Sequence, residues 1–387
     1  MAEVEIGIGK SGRRAYGFDE ISIVTSRRTR DPEDVDISWE IDAFRFDLPL
    51  MAAATDSVVS PATAVDIGRL GGVGVLHLEG LWARYDDPEP LFEEIAGLDG
   101  DKATARMQQI YGEPIKPELV ARRIQEIKAA GAVACASLSP GRVEQLIPSV
   151  LEAEPDLFVI QATAVSAEHV SRSGEPLNLK RFIRELDVPV IVGGCATYKA
   201  ALHLMRTGAV GVLVGVGPGT ASTTRGVLGV GVPQATAIAD TVGARMRHLD
   251  ETGVYVNVIA DGGISRSGDI AKAIACGADA VMLGSPLAAA HEAPGRGWHW
   301  SVGTFHPTLP RGTRVRTEAR GSLKEILLGP AHENDGTLNL FGALRTSMAT
   351  TGYESVKEFQ KAEVMVAPAV QTEGKGLQRA QGVGMGR

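Results

Sequence analysis

Short runs of apolar residues recur along the central part of the chain, and stretches with helical spacing separate them. Eight such runs occur, each of four to seven residues with little alternation of polar positions. This pattern predicts parallel strands that are covered on both faces of their sheet. The predicted strands are Leu48–Ala53, Val73–His77, Ala132–Leu138, Leu157–Gln161, Val188–Val192, Val210–Val214, Tyr255–Ala260 and Ala280–Leu283.

The segments between these strands carry signals of helix starts and stops. Ser60 and Pro61 supply an N-cap followed by proline at the first helical position, and Gly71 ends that helix. Strands and helices that alternate eight times over roughly 240 residues favour a closed (β/α)8 TIM barrel. An open doubly wound sheet is the alternative, although the polar motifs described below follow strands 6, 7 and 8 rather than strand 1.

We expect a single catalytic-type barrel domain over residues 1–387, with the barrel at about 47–295. An N-terminal arm that ends at Phe46 is mixed in charge and predicts little regular structure. A C-terminal extension, 296–387, is expected to lie outside the barrel, with a helix around Ser355–Gln360.

Composition and charge narrow the classes of function. The net charge is -8 and no Lys/Arg-rich run stands out, so we expect no nucleic-acid partner. No apolar run approaches about 18 residues, so no membrane span is expected. Cys135, Cys195 and Cys276 lack metal spacing and lie in apolar contexts, which indicates buried, reduced thiols in a cytoplasmic protein.

A glycine-dense stretch, Gly215–Gln234, follows the sixth predicted strand and precedes a predicted helix. Dense glycines allow a close backbone approach to a ligand, and the interior of the stretch is polar. A binding or catalytic loop is the favoured interpretation, and a structural glycine-rich turn is the alternative.

Two further polar motifs follow strands 7 and 8. Asp261-Gly262-Gly263 and Gly284-Ser285 offer backbone N–H groups and a hydroxyl where (β/α)8 barrels often bind phosphate. Asp261 is then placed to accept hydrogen bonds from ribose hydroxyls. The alternative is that the first motif forms only a tight turn.

These motifs together resemble the IMP dehydrogenase/GMP reductase family. The segment Ala260–Gly295 resembles the family's phosphate segment, and the glycine-dense stretch resembles its catalytic loop, Gly-x-Gly-Pro-Gly-(Ser/Ala)-x-Cys-Thr-Thr-Arg. Pro49–Val58 resembles the first-strand motif, and Gly342–Gln360 resembles part of the C-terminal segment. The interval Leu78–Lys116 is too short for tandem CBS modules, so the resemblance is to a short, IMP dehydrogenase-related branch.

The resemblance implies a purine 5'-monophosphate substrate (IMP, GMP or XMP), NAD or NADP as cofactor, and a homo-tetramer or homo-octamer. It leaves open whether IMP is oxidised or GMP is reduced. By position in the motifs it implies catalytic Ser222 and Thr224; substrate-binding Asp261, Gly263, Gly284, Ser285 and Asp56; cofactor-binding Gln161 and Gly194; and Gly217 and Gly219 at a possible potassium ion.

The chain departs from the family at the nucleophile. Ser222 stands at the position of the family's cysteine, and a serine alkoxide forms far less readily than a thiolate. Gln161 replaces an aspartate, Gly194 replaces an asparagine, and an Arg-Tyr segment is missing between Gly303 and Arg311. The alternative function is therefore a catalytically silent purine-nucleotide-binding regulator, or a partner of a family enzyme.

Two histidine positions have open interpretations. Trp298-His299-Trp300 either stacks on a purine or nicotinamide ring or packs a lid. His77, at the end of the second strand, either lines the pocket mouth or is a structural histidine, which is the favoured interpretation.

Overall fold

Eight parallel strands close into a barrel in the computed structural model, which describes residues 3–170, 177–367 and 373–386. Each strand pairs with the next one along the chain, and the eighth pairs with the first through Val281 and Leu50. The (β/α)8 TIM barrel is therefore confirmed, and the open sheet was wrong. The strands are Leu50–Ala52, Val73–His77, Cys135–Leu138, Leu157–Gln161, Val190–Cys195, Gly211–Val214, Asn257–Asp261 and Ala280–Leu283.

Helices cover the outside of the barrel. Ser60 caps the first of them as predicted, because its Oγ accepts the backbone N–H of Thr63 at 3.0 Å. Three helices, rather than CBS modules, connect strands 2 and 3. The helices up to the end of the eighth unit are Pro61–Arg69, Glu89–Gly97, Gly100–Ile110, Pro117–Ala129, Pro140–Glu152, Leu179–Arg184, Tyr198–Met205, Thr224–Leu228, Gln234–Thr252, Ser267–Ala275 and Ser285–Ala288.

The N-terminal arm contains more regular structure than the sequence predicted. A hairpin of Trp39–Ile41 and Phe44–Phe46 packs its apolar side chains against the side chains that fill the barrel interior. The rings of Trp39 and Phe46 stack with centroids 5.6 Å apart. A second hairpin, Glu3–Gly7 with Lys10–Arg13, precedes it. Strands of three to five residues among arginines give too short a pattern to recognise in the sequence.

The C-terminal extension returns to the barrel and to the arm. Strand Val364–Val366 pairs with Ile21–Ile23, and the predicted helix near Ser355 is present as Val356–Phe359. The remaining helices of the extension are Leu323–Leu328, Leu340–Thr350 and Gly376–Gln381. None of the helices in the described ranges is both long and apolar enough to cross a membrane.

A buried carboxylate joins the extension to the barrel. Asp279, immediately before strand 8, accepts hydrogen bonds from Arg245 at 2.8 Å, Tyr255 at 2.7 Å and Gln360 at 2.8 Å. Lys357 of the extension forms an ion pair with the same carboxylate. Although burial opposes ionisation, Arg245 and Lys357 lower the pKa of Asp279.

Candidate functional site

A cleft of about 1070 Å³, part of it open to solvent, lies at the carboxyl ends of the barrel strands. Enzymes with this fold place their chemistry at that end. The cleft brings together nine of the eleven residues that the sequence singled out, and Asp56 and Gly194 lie outside it. The nine are Gln161, Gly217, Gly219, Ser222, Thr224, Asp261, Gly263, Gly284 and Ser285.

The loops that follow strands 6, 7 and 8 converge on one wall of the cleft. Thr220 Oγ1 and Ser285 Oγ are 3.1 Å apart, so the first and third of these loops touch. Gly263 has φ +73°, a conformation that favours glycine, and an added Cβ would lie 3.1 Å from Pro218 Cβ. We call Thr220, Gly263, Gly284 and Ser285 the cradle. These residues bring two hydroxyls and the backbone of three loops together at one wall of the cleft.

Asp261 lies beside the cradle at the end of strand 7. Its Oδ2 accepts a hydrogen bond from the side-chain amide of Gln161 at 3.0 Å, which joins strand 7 to strand 4 across the cleft. Burial raises the pKa of Asp261 to about 6. Gln161, which the resemblance assigned to the cofactor, therefore contacts Asp261, the residue predicted to bind the ribose.

Gln234 is a supporting residue that the sequence analysis did not single out. Its Nε2 donates to the backbone carbonyls of Val214 at 2.7 Å and Asp261 at 3.0 Å, so it ties the ends of strands 6 and 7 together. The sequence feature that could have indicated Gln234 is its place at the end of the glycine-dense stretch, directly after Pro233.

Ser222 is held by the backbone around it. Its N–H donates to the Gly219 carbonyl at 3.0 Å, and its Oγ accepts the N–H of Thr224 at 3.3 Å. Thr224 is buried, and its hydroxyl lies 3.5 Å from the carbonyl of Arg311. Among the described residues, no carboxylate, imidazole or amine makes a hydrogen bond to Ser222 Oγ. The arrangement therefore offers no general base that would activate this hydroxyl.

No cysteine of the described chain lines the cleft either. Cys135 and Cys195 are buried in strands 3 and 5, as predicted, whereas Cys276 is only partly buried at a helix end. Burial raises the pKa of all three thiols. None of them can replace the missing thiolate.

The two glycines assigned to a potassium ion differ in their surroundings. Gly217 has φ +66°, and an added Cβ would lie 3.0 Å from Thr224 Cβ, so the loop requires glycine there. An added Cβ on Gly219 would meet no atom within 4 Å. Gly217 is thus needed for the loop to pack, whereas nothing in its surroundings requires glycine at 219.

Asp56 is not in the cleft, which corrects its assignment as a substrate ligand. The residue is buried behind the cleft wall, where its Oδ2 accepts the Leu81 N–H at 2.9 Å and the Tyr111 hydroxyl at 2.8 Å. Its Oδ1 is buried without a hydrogen-bond partner, and burial raises the pKa of the carboxyl. The chain turns inward after Thr55, so Asp56 ties strand 1 to the helices after strand 2.

Gly194 is also outside the cleft, which corrects its assignment to the cofactor. It lies beneath the glycine-dense loop, where an added Cβ would be 2.3 Å from the carbonyl oxygen of Gly215. Its N–H donates to the Ala162 carbonyl at 2.9 Å. The position needs glycine because the two loops pack so closely, and any larger side chain would displace one of them.

The structure places both histidines of open interpretation at the cleft. His77 is buried and lines it on the side of strands 2 to 4. His299 is buried in the wall next to Gly284, with its Nδ1 2.9 Å from Ser57 Oγ. Its neighbour Trp300 packs behind the wall and donates to the Tyr111 hydroxyl at 2.8 Å. Within Trp298-His299-Trp300, Trp300 therefore packs behind the cleft wall, and the side chain of His299 lies at the site.

Comparison with known proteins identifies related chains. Residues 15–306 match the model of the IMP dehydrogenase / GMP reductase domain. A chain of Mycolicibacterium smegmatis described as an uncharacterized oxidoreductase is 50% identical over 372 residues, covering 94% of this chain and 99% of the relative. The inosine-5'-monophosphate dehydrogenase of Methanocaldococcus jannaschii is 27% identical, covering 93% and 94%.

A solved structure has the same fold over nearly the whole chain. The crystal structure of an IMP dehydrogenase/GMP reductase-like protein from Corynebacterium glutamicum superposes with a TM-score of 0.90 at 47% sequence identity. The match covers 94% of this chain and 97% of that one.

Proposed function

The chain belongs to the IMP dehydrogenase/GMP reductase family, and we propose that its cleft binds a purine 5'-monophosphate for a nicotinamide-dependent oxidoreductase reaction. The observation that carries the proposal is the convergence of the cradle with Asp261. Backbone and hydroxyl donors from three loops suit a phosphate group, and a carboxylate next to them suits the hydroxyls of the attached ribose.

The side of the cleft opposite the cradle fits the nicotinamide end of NAD or NADP. His77, Ser137, Ser139 and Thr163 line this side, and they would offer hydrogen bonds to the carboxamide. Within the described residues, the side chains of His77 and Ser137 make no hydrogen bond, although both are buried. When bound, the nicotinamide accepts or supplies a hydride.

Potassium is not part of the proposal. An ion held by backbone carbonyls needs several that are free to point at it. In this loop the Gly219 carbonyl accepts the Ser222 N–H at 3.0 Å, and the Val216 carbonyl accepts Arg225 Nε at 3.3 Å. The Gly219 carbonyl therefore keeps one lone pair for such an ion, and no step of the reaction depends on one.

The second candidate is nucleotide binding without turnover, and the surroundings of Ser222 favour it. The hydroxyl accepts one backbone N–H and has no base beside it. A covalent intermediate on this atom is therefore unsupported, whereas the cradle does not depend on the identity of residue 222. The chain would then sense purine nucleotides or join a family enzyme in a mixed oligomer.

Two assays on the same protein separate these functions. IMP, GMP and XMP should each be tested for a rise in Tm, since a ligand that binds only the folded state stabilises it. Nicotinamide absorbance is then followed with IMP plus NAD and with GMP plus NADPH. A rise in Tm with an absorbance change supports the oxidoreductase, and a rise without one supports the silent binder. No change in Tm at millimolar nucleotide would refute both.

We also propose a homo-tetramer or homo-octamer, as the resemblance implies. Val227 and Leu228, at the end of the helix Thr224–Leu228, and Val230, just after it, are exposed aliphatic side chains, which supports a contact between subunits there. Light scattering after size-exclusion chromatography gives the mass. A monomer at every concentration tested would contradict the proposal.

A further inference from the structure

His299 stands in the wall of the cradle with one ring edge open to the cleft. Its Nε2 and Cε1 face Gly284, and an added Cβ at that glycine would lie 3.1 Å from Nε2. The side chain is only 5% exposed, yet among the described residues its Nε2 has no hydrogen-bond partner. Because this ring edge lines the cleft and Nε2 makes no hydrogen bond to the described residues, the nitrogen can pair with a ligand that enters the cradle.

The other ring nitrogen, Nδ1, contacts Ser57, whose hydroxyl can donate a hydrogen bond to a neutral ring or accept one from a charged ring. Ser57 Oγ lies 2.9 Å from Nδ1 and 3.3 Å from the Trp300 carbonyl. With a neutral ring, Ser57 Oγ either donates to Nδ1, which places the ring proton on Nε2, or accepts from Nδ1–H, and the 2.9 Å contact fits both arrangements. With a charged ring, Nδ1–H donates to Ser57, and the serine proton turns to the Trp300 carbonyl. Ring orientation is therefore kept when the charge changes.

The cradle contains no fixed positive charge. Arg311 is the one lysine or arginine among the described residues that line the cleft, and its guanidinium Nη1 donates to the Leu309 carbonyl at 3.2 Å rather than to a cradle residue. The four cradle residues are uncharged. A phosphate dianion bound there would lack a cation within the wall, apart from an imidazole that acquires a proton.

We propose that His299 is a phosphate ligand of this site and that binding of the nucleotide's phosphate takes up one proton, which leaves both ring nitrogens protonated, with Nε2–H donating to the phosphate. The inference rests on the proposed binding of a purine 5'-monophosphate. In the free protein, burial lowers the pKa of His299 to about 4, so the ring starts neutral at pH 7. The free phosphate, with a second pKa of about 6, starts as the dianion. The proton comes from solvent.

The charged and titratable groups around His299 define the pH range of a test. Asp261, His77 and Arg311 lie in the same cleft, Asp56 and Tyr111 lie behind Ser57, and Arg316 is exposed on the strand paired with Trp298–His299. The pKa of Asp261, about 6, falls close to the range of interest. Measurements between pH 7 and 8.5 keep Asp261 ionised throughout.

Calorimetric titration with IMP, in buffers of different ionisation enthalpy, counts the protons taken up. We expect close to one proton per IMP at pH 7.5, and an affinity that falls about tenfold per pH unit above neutrality, as linkage requires. His299→Gln keeps a donor but cannot titrate, so uptake should vanish and the pH dependence should flatten. His203→Gln, at an exposed position on an outer helix, is the matched control and should behave as the wild type.

The outcomes separate this inference from the proposed function. If IMP binds the wild type with no proton uptake, or if His299→Gln takes up as many protons as the wild type, His299 is not the proton-linked ligand and nucleotide binding stands. If IMP does not bind at any pH, both proposals fail. A wild-type titration without proton uptake overturns the inference even if the variant does not fold. Inosine, which lacks the phosphate, should show no uptake.

Discussion

Replacing Asp261 with asparagine is expected to stabilise the fold while weakening nucleotide binding. Burial raises the pKa of this carboxyl from 3.8 to about 6, so the folded state holds the proton more tightly than the unfolded chain does. The contribution of Asp261 to the free energy of unfolding is therefore most favourable below about pH 4 and is lost as the pH rises through 6. The difference of about 2.2 pKa units corresponds to at most about 3 kcal/mol at neutral pH.

The amide should recover most of this free energy at pH 7. It is close in shape to the carboxylate, and its oxygen can still accept the hydrogen bond from Gln161 Nε2. Urea unfolding at pH 4, 5 and 7 measures the effect. We expect Asp261→Asn to be about 1–3 kcal/mol more stable than the wild type at pH 7, and no more stable at pH 4. Asp250→Asn, at an exposed position in the helix Gln234–Thr252, is the control and should change stability by less than about 0.5 kcal/mol.

The same variant should lose affinity for IMP. A hydrogen bond to a charged acceptor contributes about 1.5–3 kcal/mol, which corresponds to roughly a 10- to 150-fold weaker Kd. Calorimetry on both proteins at pH 7.5 gives the ratio. An Asp261→Asn variant that is less stable than the wild type at pH 7 would refute the burial argument. An unchanged Kd would refute the assignment of Asp261 to the ribose.

Substitutions at three further positions test other parts of the structure. Wild-type protein should form no covalent adduct with a 6-chloropurine nucleotide by intact mass, whereas Ser222→Cys should form one; robust wild-type turnover that survives Ser222→Ala would show that this position does not govern activity. Asp279→Ala should cost about 3–5 kcal/mol in urea unfolding at pH 7, because it leaves Arg245 buried and unpaired and removes the ion pair with Lys357; a loss below 1 kcal/mol would contradict this. Gly217→Ala should cost at least about 1 kcal/mol and abolish the rise in Tm with IMP, because it places a side chain at φ +66°; a variant that matches the wild type in both would show that the loop tolerates a side chain.

The barrel was predictable because its signal is repeated. Each of the eight strands is a short apolar run, and each of the eight is present in the structure within a few residues of the predicted bounds. The N-terminal hairpin Trp39–Ile41 with Phe44–Phe46 was not predictable, because its apolar side chains belong to a core whose other members lie far away in the sequence. Repetition identifies a fold, whereas a single three-residue strand carries too little pattern.

The cleft was predictable to the extent that its residues follow strands. Asp261, Gly284 and Ser285 follow strands that end at one rim, so topology alone brings them together. Asp56 also follows its strand, strand 1, and its neighbour Thr55 lines the cleft. Asp56 itself, one residue after Thr55, lies behind the cleft wall and contacts Tyr111. His299 belongs to a loop from beyond strand 8, and only the folded chain shows that it reaches the cradle.

Calorimetric titration of the wild-type protein with IMP and, separately, with inosine tests the central claim most directly. The two ligands differ only in the 5'-phosphate, which is the group that the cradle of Thr220, Gly263, Gly284 and Ser285 is proposed to bind. We predict saturable binding of IMP and at least a hundredfold weaker binding of inosine, since charge-assisted hydrogen bonds from several donors would be lost (roughly 3 kcal/mol or more). Equal affinities for the two ligands, or no binding of IMP at millimolar concentration, would contradict the account.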